Sequence, residues 1–229
     1  MSYDTQTDIY TEDGRIKQIE YAMKAMTLGT TTIAAIVNNS IVMVSEKKLA
    51  NILQKPSSVK KHFKIYDNVI TAFAGITADA LNIIKKCRTF CLEHEAFYGT
   101  LIPSKLLLDR ICNLALKFGE KDDFNKIYSR PFGISLVLGV YEKNTPRLFC
   151  MDPSGSYTEY RAKAIGAASE IIEQQLEVMD LEQLTLKKLV DILKHSMADK
   201  MTETNVEISI LTKNGIKKYS SEDISLLIK

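Results

Sequence analysis

Long apolar runs are missing from this chain of 229 residues. No hydrophobic stretch approaches the roughly 20 residues that a helix needs to cross a bilayer, so a helical membrane span is excluded. Charge of one sign is equally scarce: 30 Lys and Arg stand against 28 Asp and Glu, for a net charge of +2. Such a balance argues against nucleic acid and against an acidic membrane as the main partner. The doublets Lys47-Lys48, Lys60-Lys61 and Lys85-Lys86 read as solvated faces. Cysteine is sparse too, with Cys87 and Cys91 four apart in an apparent helix and Cys112 and Cys150 standing alone. His62, His94 and His195 lie far apart, so paired ligands at metal-site spacing are missing. The thiols read as reduced and mostly buried, and neither a metal nor a cofactor is expected. The opening Met-Ser-Tyr-Asp-Thr-Gln lacks the basic-then-apolar pattern of a secretory signal, which leads to the expectation of an intracellular protein. There is no internal repeat, no low-complexity tract and no linker long enough to separate domains. With 45% apolar residues, one domain over residues 1–229 is expected.

What stands out among the residues present is Gly29-Thr30-Thr31-Thr32-Ile33. A threonine run at the head of a strand, directly after glycine, is the pattern of an enzyme whose processed N-terminal threonine is its nucleophile. Freed after Gly29, Thr30 would carry a hydroxyl beside its own amine, which could act as the base. The segment upstream is no disposable leader, however. Ile16, Ile19, Met23 and Met26 recur at steps of three and four on one helical face. Thr11 or Asp13 can cap the start, and Gly29 lies just past the end. A built helix ahead of Thr30 implies that the threonine stays in the chain and that the protein's work is not catalysis.

Further on, Thr30–Asn38 and Ser40–Glu46 read as strands joined by an Asn38-Asn39 turn. Val69–Ala74 is a strand closed by Gly75. A helix is expected from Thr77, as cap, to about Tyr98, with Ala80, Ile84, Cys87, Cys91 and Leu92 near one face. Pro103 opens a second helix to Phe118, striped by Leu107, Ile111, Leu114 and Phe118. Strands follow at Phe132–Tyr141, Arg147–Met151 and Tyr157–Ala164, then helices at about Ala168–Met179 and Thr185–Met201. Val206–Thr212, Asn214-Gly215 and Ile216–Tyr219 predict a hairpin with a type I′ turn, and Ser221 a capped final helix, Glu222–Ile228. Strands adjacent in sequence favour antiparallel pairing with helix pairs over the sheets, an α+β fold.

Several motifs identify a family. Tyr10-Thr11-Glu12-Asp13-Gly14-Arg15 with Gln18-Ile19-Glu20-Tyr21-Ala22, Ser129-Arg130-Pro131-Phe132-Gly133, Asp152-Pro153-Ser154-Gly155 and Ala164-Ile165-Gly166 resemble the alpha-type subunits of the proteasome core particle, nearly end to end. Leu28-Gly29-Thr30-Thr31, Lys55-Pro56-Ser57-Ser58-Val59 and Asn113–Glu120 narrow the resemblance to one alpha subtype. The resemblance implies a four-layer αββα sandwich of the N-terminal nucleophile hydrolase type, formed by residues 29–229, with residues 1–28 as tail and first helix. It implies a non-catalytic structural and gating subunit of ubiquitin-dependent protein degradation, in cytoplasm and nucleus. The implied partners are neighbouring alpha subunits in a seven-membered ring, beta-ring subunits, and the C-termini of a regulatory ATPase or activator. Tyr3-Asp4-Thr5 and Thr11-Glu12 depart from the family's usual Tyr-Asp-Arg and Ser-Pro, and only two residues precede Tyr3.

Counted against the catalytic beta subunits, Thr30 falls at the nucleophile, Glu46 at the orienting carboxylate and Lys61 at the lysine. The Ser-Gly-Gly segment of a beta site has no counterpart in Thr202-Glu203-Thr204-Asn205. The alternative, a catalytic beta-type subunit with Thr30 as nucleophile, therefore lacks parts. By resemblance, Lys61 with Gly75 and Ile76 lines a pocket between alpha neighbours that receives an activator's terminal carboxylate, whereas the residues alone also allow a surface lysine in a basic run. Tyr3, Asp4 and Tyr21 match the family's gate-turn cluster, and ordinary packing near the first helix accounts for them equally well. Arg130 and Asp152 are explained by turn geometry as well as by any site.

Overall fold

The computed structural model describes residues 9–51, 53–119 and 128–228. Helix α1 (Lys17–Thr27) leads into β1 (Thr32–Val37), β2 (Ser40–Glu46), β3 (His62–Tyr66) and β4 (Val69–Gly75). Helices α2 (Thr77–Tyr98) and α3 (Ser104–Ala115) follow, then β5 (Ile134–Glu142), β6 (Thr145–Met151), β7 (Tyr157–Tyr160) and β8 (Ala162–Ile165). Helices α4 (Ser169–Glu177) and α5 (Leu186–Ser196), strands β9 (Val206–Thr212) and β10 (Gly215–Lys218), and α6 (Ser221–Ile228) complete the described chain. The strands form two antiparallel sheets, ordered β10-β9-β2-β1-β8 and β3-β4-β5-β6-β7.

Strand alternation creates three apolar layers. From β1, Ile33, Ala35 and Val37 meet Ile172 and Leu176 of α4 and Leu189, Val190 and Leu193 of α5. Ala34 points the other way, into a layer between the sheets with Ile41, Met43, Ile70, Ala72 and Val137. From β4, Val69 and Phe73 face Ile83, Ile84, Leu107 and Ile111 of the opposite helix pair. Each central strand is thus buried on both sides, which is why β1, β2, β4 and β5 read as nearly unbroken apolar runs. The result is the expected αββα sandwich.

Local differences from the sequence reading have physical causes. The run expected as one strand, Tyr157–Ala164, is two: β7 pairs with β6 in one sheet, and β8 pairs with β1 in the other. Period-two alternation continues through the crossover near Arg161 and cannot reveal it. Asn38 and Asn39 adopt left-handed φ of 47° and 56°, as a two-residue primed turn needs. Lys143 and Asn144 do the same at 50° and 63°, without an expected signal. At the last hairpin Thr212 pairs with Gly215, and only Gly215, at φ 106°, is left-handed. Its turn residues are Lys213-Asn214, with Gly215 already paired in β10, so the expected type I′ turn at Asn214-Gly215 is absent.

Helix ends differ as well. The residue before α2 is Ile76, and no side chain caps it. Thr77 is therefore not the cap, and Leu92 is exposed. Ser220, not Ser221, opens α6: its Oγ accepts from Asp223 N–H at 3.2 Å, and the Asp223 carboxylate accepts from Ser220 N–H at 3.0 Å. Neither Thr11 nor Asp13 caps α1, which starts after Ile16 with no side-chain bond. Thr11 Oγ1 instead accepts from Arg15 N–H at 3.2 Å. On α1 only Ala22 is buried, while Ile16, Ile19, Met23 and Met26 are half-buried.

Candidate functional site

The joint between α1 and β1 is held by glycine. A Cβ on Gly29 would lie 2.2 Å from Gly75 N, and a Cβ on Gly75 would lie 2.2 Å from Gly133 O. A Cβ on Gly166 would lie 2.6 Å from Thr30 O. These approaches admit no side chain, and Gly75 in addition needs its φ of 113°. Gly29 O accepts from Ala167 N–H at 2.9 Å, and Thr31 Oγ1 accepts from Ala168 N–H at 3.2 Å. Thr30 is therefore a mid-chain residue wedged between the ends of both sheets.

Beside it opens a cleft of about 490 Å³, lined by Thr30, Lys61, Phe63, Phe73, Gly75 and others. Sequence reasoning left open whether Lys61 is a surface lysine. The structure buries it: the residue is 7% exposed, whereas Lys60 beside it is exposed. Its Nζ stands 4.5 Å from the centroid of the Phe73 ring, an arrangement in which the ring face attracts the cation. Burial pushes the Lys61 ammonium down to about 8, against the opposing pull of Glu46 and Glu207. Among the described residues no carboxylate lies within 4.0 Å of that Nζ.

The backbone at Lys61 is fixed from the other sheet. Lys61 N–H donates to Glu207 Oε2 at 2.7 Å, and Glu207 Oε1 pairs with Lys218 Nζ at 3.2 Å. That same Nζ donates to His62 O at 2.9 Å. His62 is fully buried, its Nε2 2.7 Å from Ser45 Oγ and its Nδ1 2.8 Å from Ser209 Oγ. Ser45 Oγ lies 2.6 Å from Thr32 Oγ1. Burial pushes the His62 imidazole down to about 4, so at neutral pH the ring is uncharged, with one nitrogen donating and the other accepting. This chain of hydroxyls and imidazole stitches β3 to β2 and β9.

The sequence reading missed His62, Phe73, Glu207 and Lys218 as parts of the site. The signal available was a polar residue interrupting a buried strand, at Ser45 and Ser209. Of the expected pocket residues, Lys61 and Gly75 line the cleft together. Ile76 instead donates its N–H to Gly133 O at 3.0 Å, and its Cδ1 would lie 2.8 Å from a Cβ on Gly133. Tyr21 lies on α1, 48% exposed, and Tyr3 and Asp4 lie outside the described residues. Arg130 forks onto Asp79 at 2.7 and 3.0 Å, and Asp79 also accepts from Gly133 N–H at 3.0 Å. Asp152 folds its own turn by accepting from Ser154 N–H at 2.8 Å. Both serve local geometry. Among the described residues no group of His, Cys, Asp and Glu is arranged to hold a metal.

Chemically the cleft is poor in what hydrolysis needs. Thr30 has no free amine beside its hydroxyl, and Thr202–Asn205 closes on itself, Thr202 N–H donating to Asn205 Oδ1 at 2.8 Å. The architecture is a sandwich of the N-terminal nucleophile type whose threonine follows a helix packed on β4 and β5. The family model described as proteasome subunit matches residues 26–211, and the model for the N-terminal signature of A-type proteasome subunits matches residues 3–25. The chain belongs to the proteasome subunit family and carries the signature of its alpha class. A protein of Encephalitozoon cuniculi, by name a probable alpha type-5 proteasome subunit, is 43% identical over 224 residues, covering 96% of each chain. Proteins named as alpha type-5 proteasome subunits from Drosophila melanogaster and Dictyostelium discoideum are 32% and 34% identical over 234 residues, or 99% of this chain and 96% of theirs. The alpha type-5 pattern is the subtype to which the short segments around Gly29, Pro56 and Leu116 point. The non-catalytic, structural reading stands, the beta-type alternative is not favoured, and membership implies assembly with other proteasome subunits.

Proposed function

We propose that this chain is a structural and gating subunit of the outer ring of the proteasome core particle. In this reading it joins two alpha neighbours in a ring of seven, rests on the beta ring, and supports ubiquitin-dependent degradation in cytoplasm and nucleus. The observation that carries the reading is the packing ahead of Thr30: α1 lies on β4 and β5, and Gly29 meets Gly75 so closely that neither admits a Cβ. A leader that is cut away would not be expected to pack as a helix on two strands of the fold.

The cleft beside Thr30 receives the C-terminal carboxylate of an activator or regulatory ATPase, with Lys61 as its point charge and Gly75 allowing close backbone approach. Tyr3, Asp4 and Tyr21 are assigned a part in gating, the role of the family's cluster that their residue types match. Supporting the docking role is a desolvated ammonium that lines an open cleft and, among the described residues, has no carboxylate partner within 4.0 Å, an arrangement that an incoming carboxylate completes. The test compares Lys61→Ala with Lys60→Ala in the assembled particle. Loss of a charge-assisted bond worth roughly 1.5–3 kcal/mol lowers activator affinity at this groove about tenfold or more, and the other grooves of the ring soften the effect on the whole particle. Equal behaviour of the two variants at two salt concentrations would sink the assignment.

A further inference from the structure

We propose that Lys61 Nζ is a site of covalent acylation, taking the acyl group of a short-chain thioester and losing its charge as it does so. Among the described residues Lys61 is the lysine that is buried. Its ammonium has the Phe73 ring at 4.5 Å and, among the described residues, no ion pair within 4.0 Å, yet the cleft that it lines is open and about 490 Å³ in volume. Val59, Phe63, Phe73 and Leu81 give that cleft apolar walls. A charge held there without a partner is costly, and a neutral amine or amide is not.

The charged groups around Lys61 come from several elements. Glu46 ends β2 and Glu207 lies on β9, and both favour the cation. Lys48 and Lys60 line the same cleft, Lys218 of β10 is taken up by Glu207, and His62 next in the chain is uncharged at neutral pH. Burial outweighs the two carboxylates, so with the ammonium near 8 about a fifth of the amine is free base near pH 7.4, against about a thousandth for an ordinary lysine. The amine lone pair attacks the thioester carbonyl, the C–N bond forms, the C–S bond breaks, and the thiolate leaves. The proton released from nitrogen passes through water to that thiolate, so no oxidant or reductant is needed. The amide product is neutral, in a cleft that Phe63 and Phe73 line.

Acylation itself is independent of the docking role, and its consequence, loss of carboxylate binding, rests on that role. The intact particle is incubated with a small acetyl thioester over about pH 6.5–9.5, and the acetyl occupancy of Lys61, Lys60 and Lys48 is followed by peptide mass spectrometry. Lys61 should react at least about tenfold faster than Lys60 near neutral pH, its rate levelling above about pH 8 while that of Lys60 keeps climbing. Equal rates, or modification of Lys48 and Lys60 with Lys61 untouched, overturn the proposal. Activator affinity of the acetylated particle is measured separately. Acylation without loss of affinity upholds the acylation site and refutes the docking role, so the two failures are distinguishable.

Discussion

Gly29 and Gly75 meet backbone to backbone, so closely that a Cβ on Gly29 would lie 2.2 Å from Gly75 N. Gly75 in turn meets Gly133 in the same way. The three glycines pin the end of α1 to the ends of β4 and β5, the strands against which this helix lies. Of the three, Gly75 lines the cleft that holds Lys61.

Gly29→Ala forces one backbone off another with no flexible side chain to yield. The expected cost is about 3 kcal/mol or more, read as a lower denaturant midpoint and poor incorporation into particles. Gly99→Ala is the control. It also has a positive φ, 65°, but no atom lies within 4 Å of its added Cβ. It should cost about 1 kcal/mol.

Thr30→Ala should leave every peptidase activity of the particle intact, with a stability loss of about 1 kcal/mol or less for a β-branched residue near a strand start. Fluorogenic substrates for each activity, assayed on purified particles, provide the check. Selective loss of one activity in assembled particles would contradict the structural role.

Buried His62 makes stability depend on pH in a stated direction. Its imidazole is pushed from 6.5 to about 4, so between these values the unfolded chain binds a proton that the folded chain refuses. Stability contributed by neutral His62 is present above about pH 6.5 and is lost as pH falls towards 4, by about 2–3 kcal/mol. Lys61, lowered from 10.5 to about 8, has the same sign at the other end, with stability rising as pH climbs through that range. Urea midpoints measured across both windows test this. The acid slope should shrink in His62→Gln, and Lys61→Met should lose the Lys61 contribution. That loss is read as a difference from the unmodified chain, because the buried thiols Cys87, Cys91, Cys112 and Cys150, raised by burial, lower stability over the same alkaline range.

Much of this architecture is legible in the residues. Helix α2 begins and ends where its periodicity does, at Thr77 and Tyr98, and β2 spans Ser40–Glu46 as read. Both are governed by neighbours in sequence. What the sequence withheld depends on distant partners. The switch of sheets near Arg161 leaves the alternation of residues unchanged. The burial of Lys61 needs Phe73 from the next strand, and its backbone anchor is Glu207, 146 positions away. His62 reads as one polar residue in a strand until Ser45 and Ser209 are brought to its two nitrogens. Turn chemistry was half legible: Asn38-Asn39 behaves as asparagine suggests, whereas at Asn214-Gly215 only the glycine is left-handed.

The central claim is that Thr30 remains inside an unbroken chain while the particle is fully active. Intact-mass analysis of this subunit, taken from purified proteasomes that degrade substrate, tests it most directly. The account predicts a mass that includes α1 and the signature residues ahead of Gly29. A subunit that begins at Thr30 in active particles would contradict it.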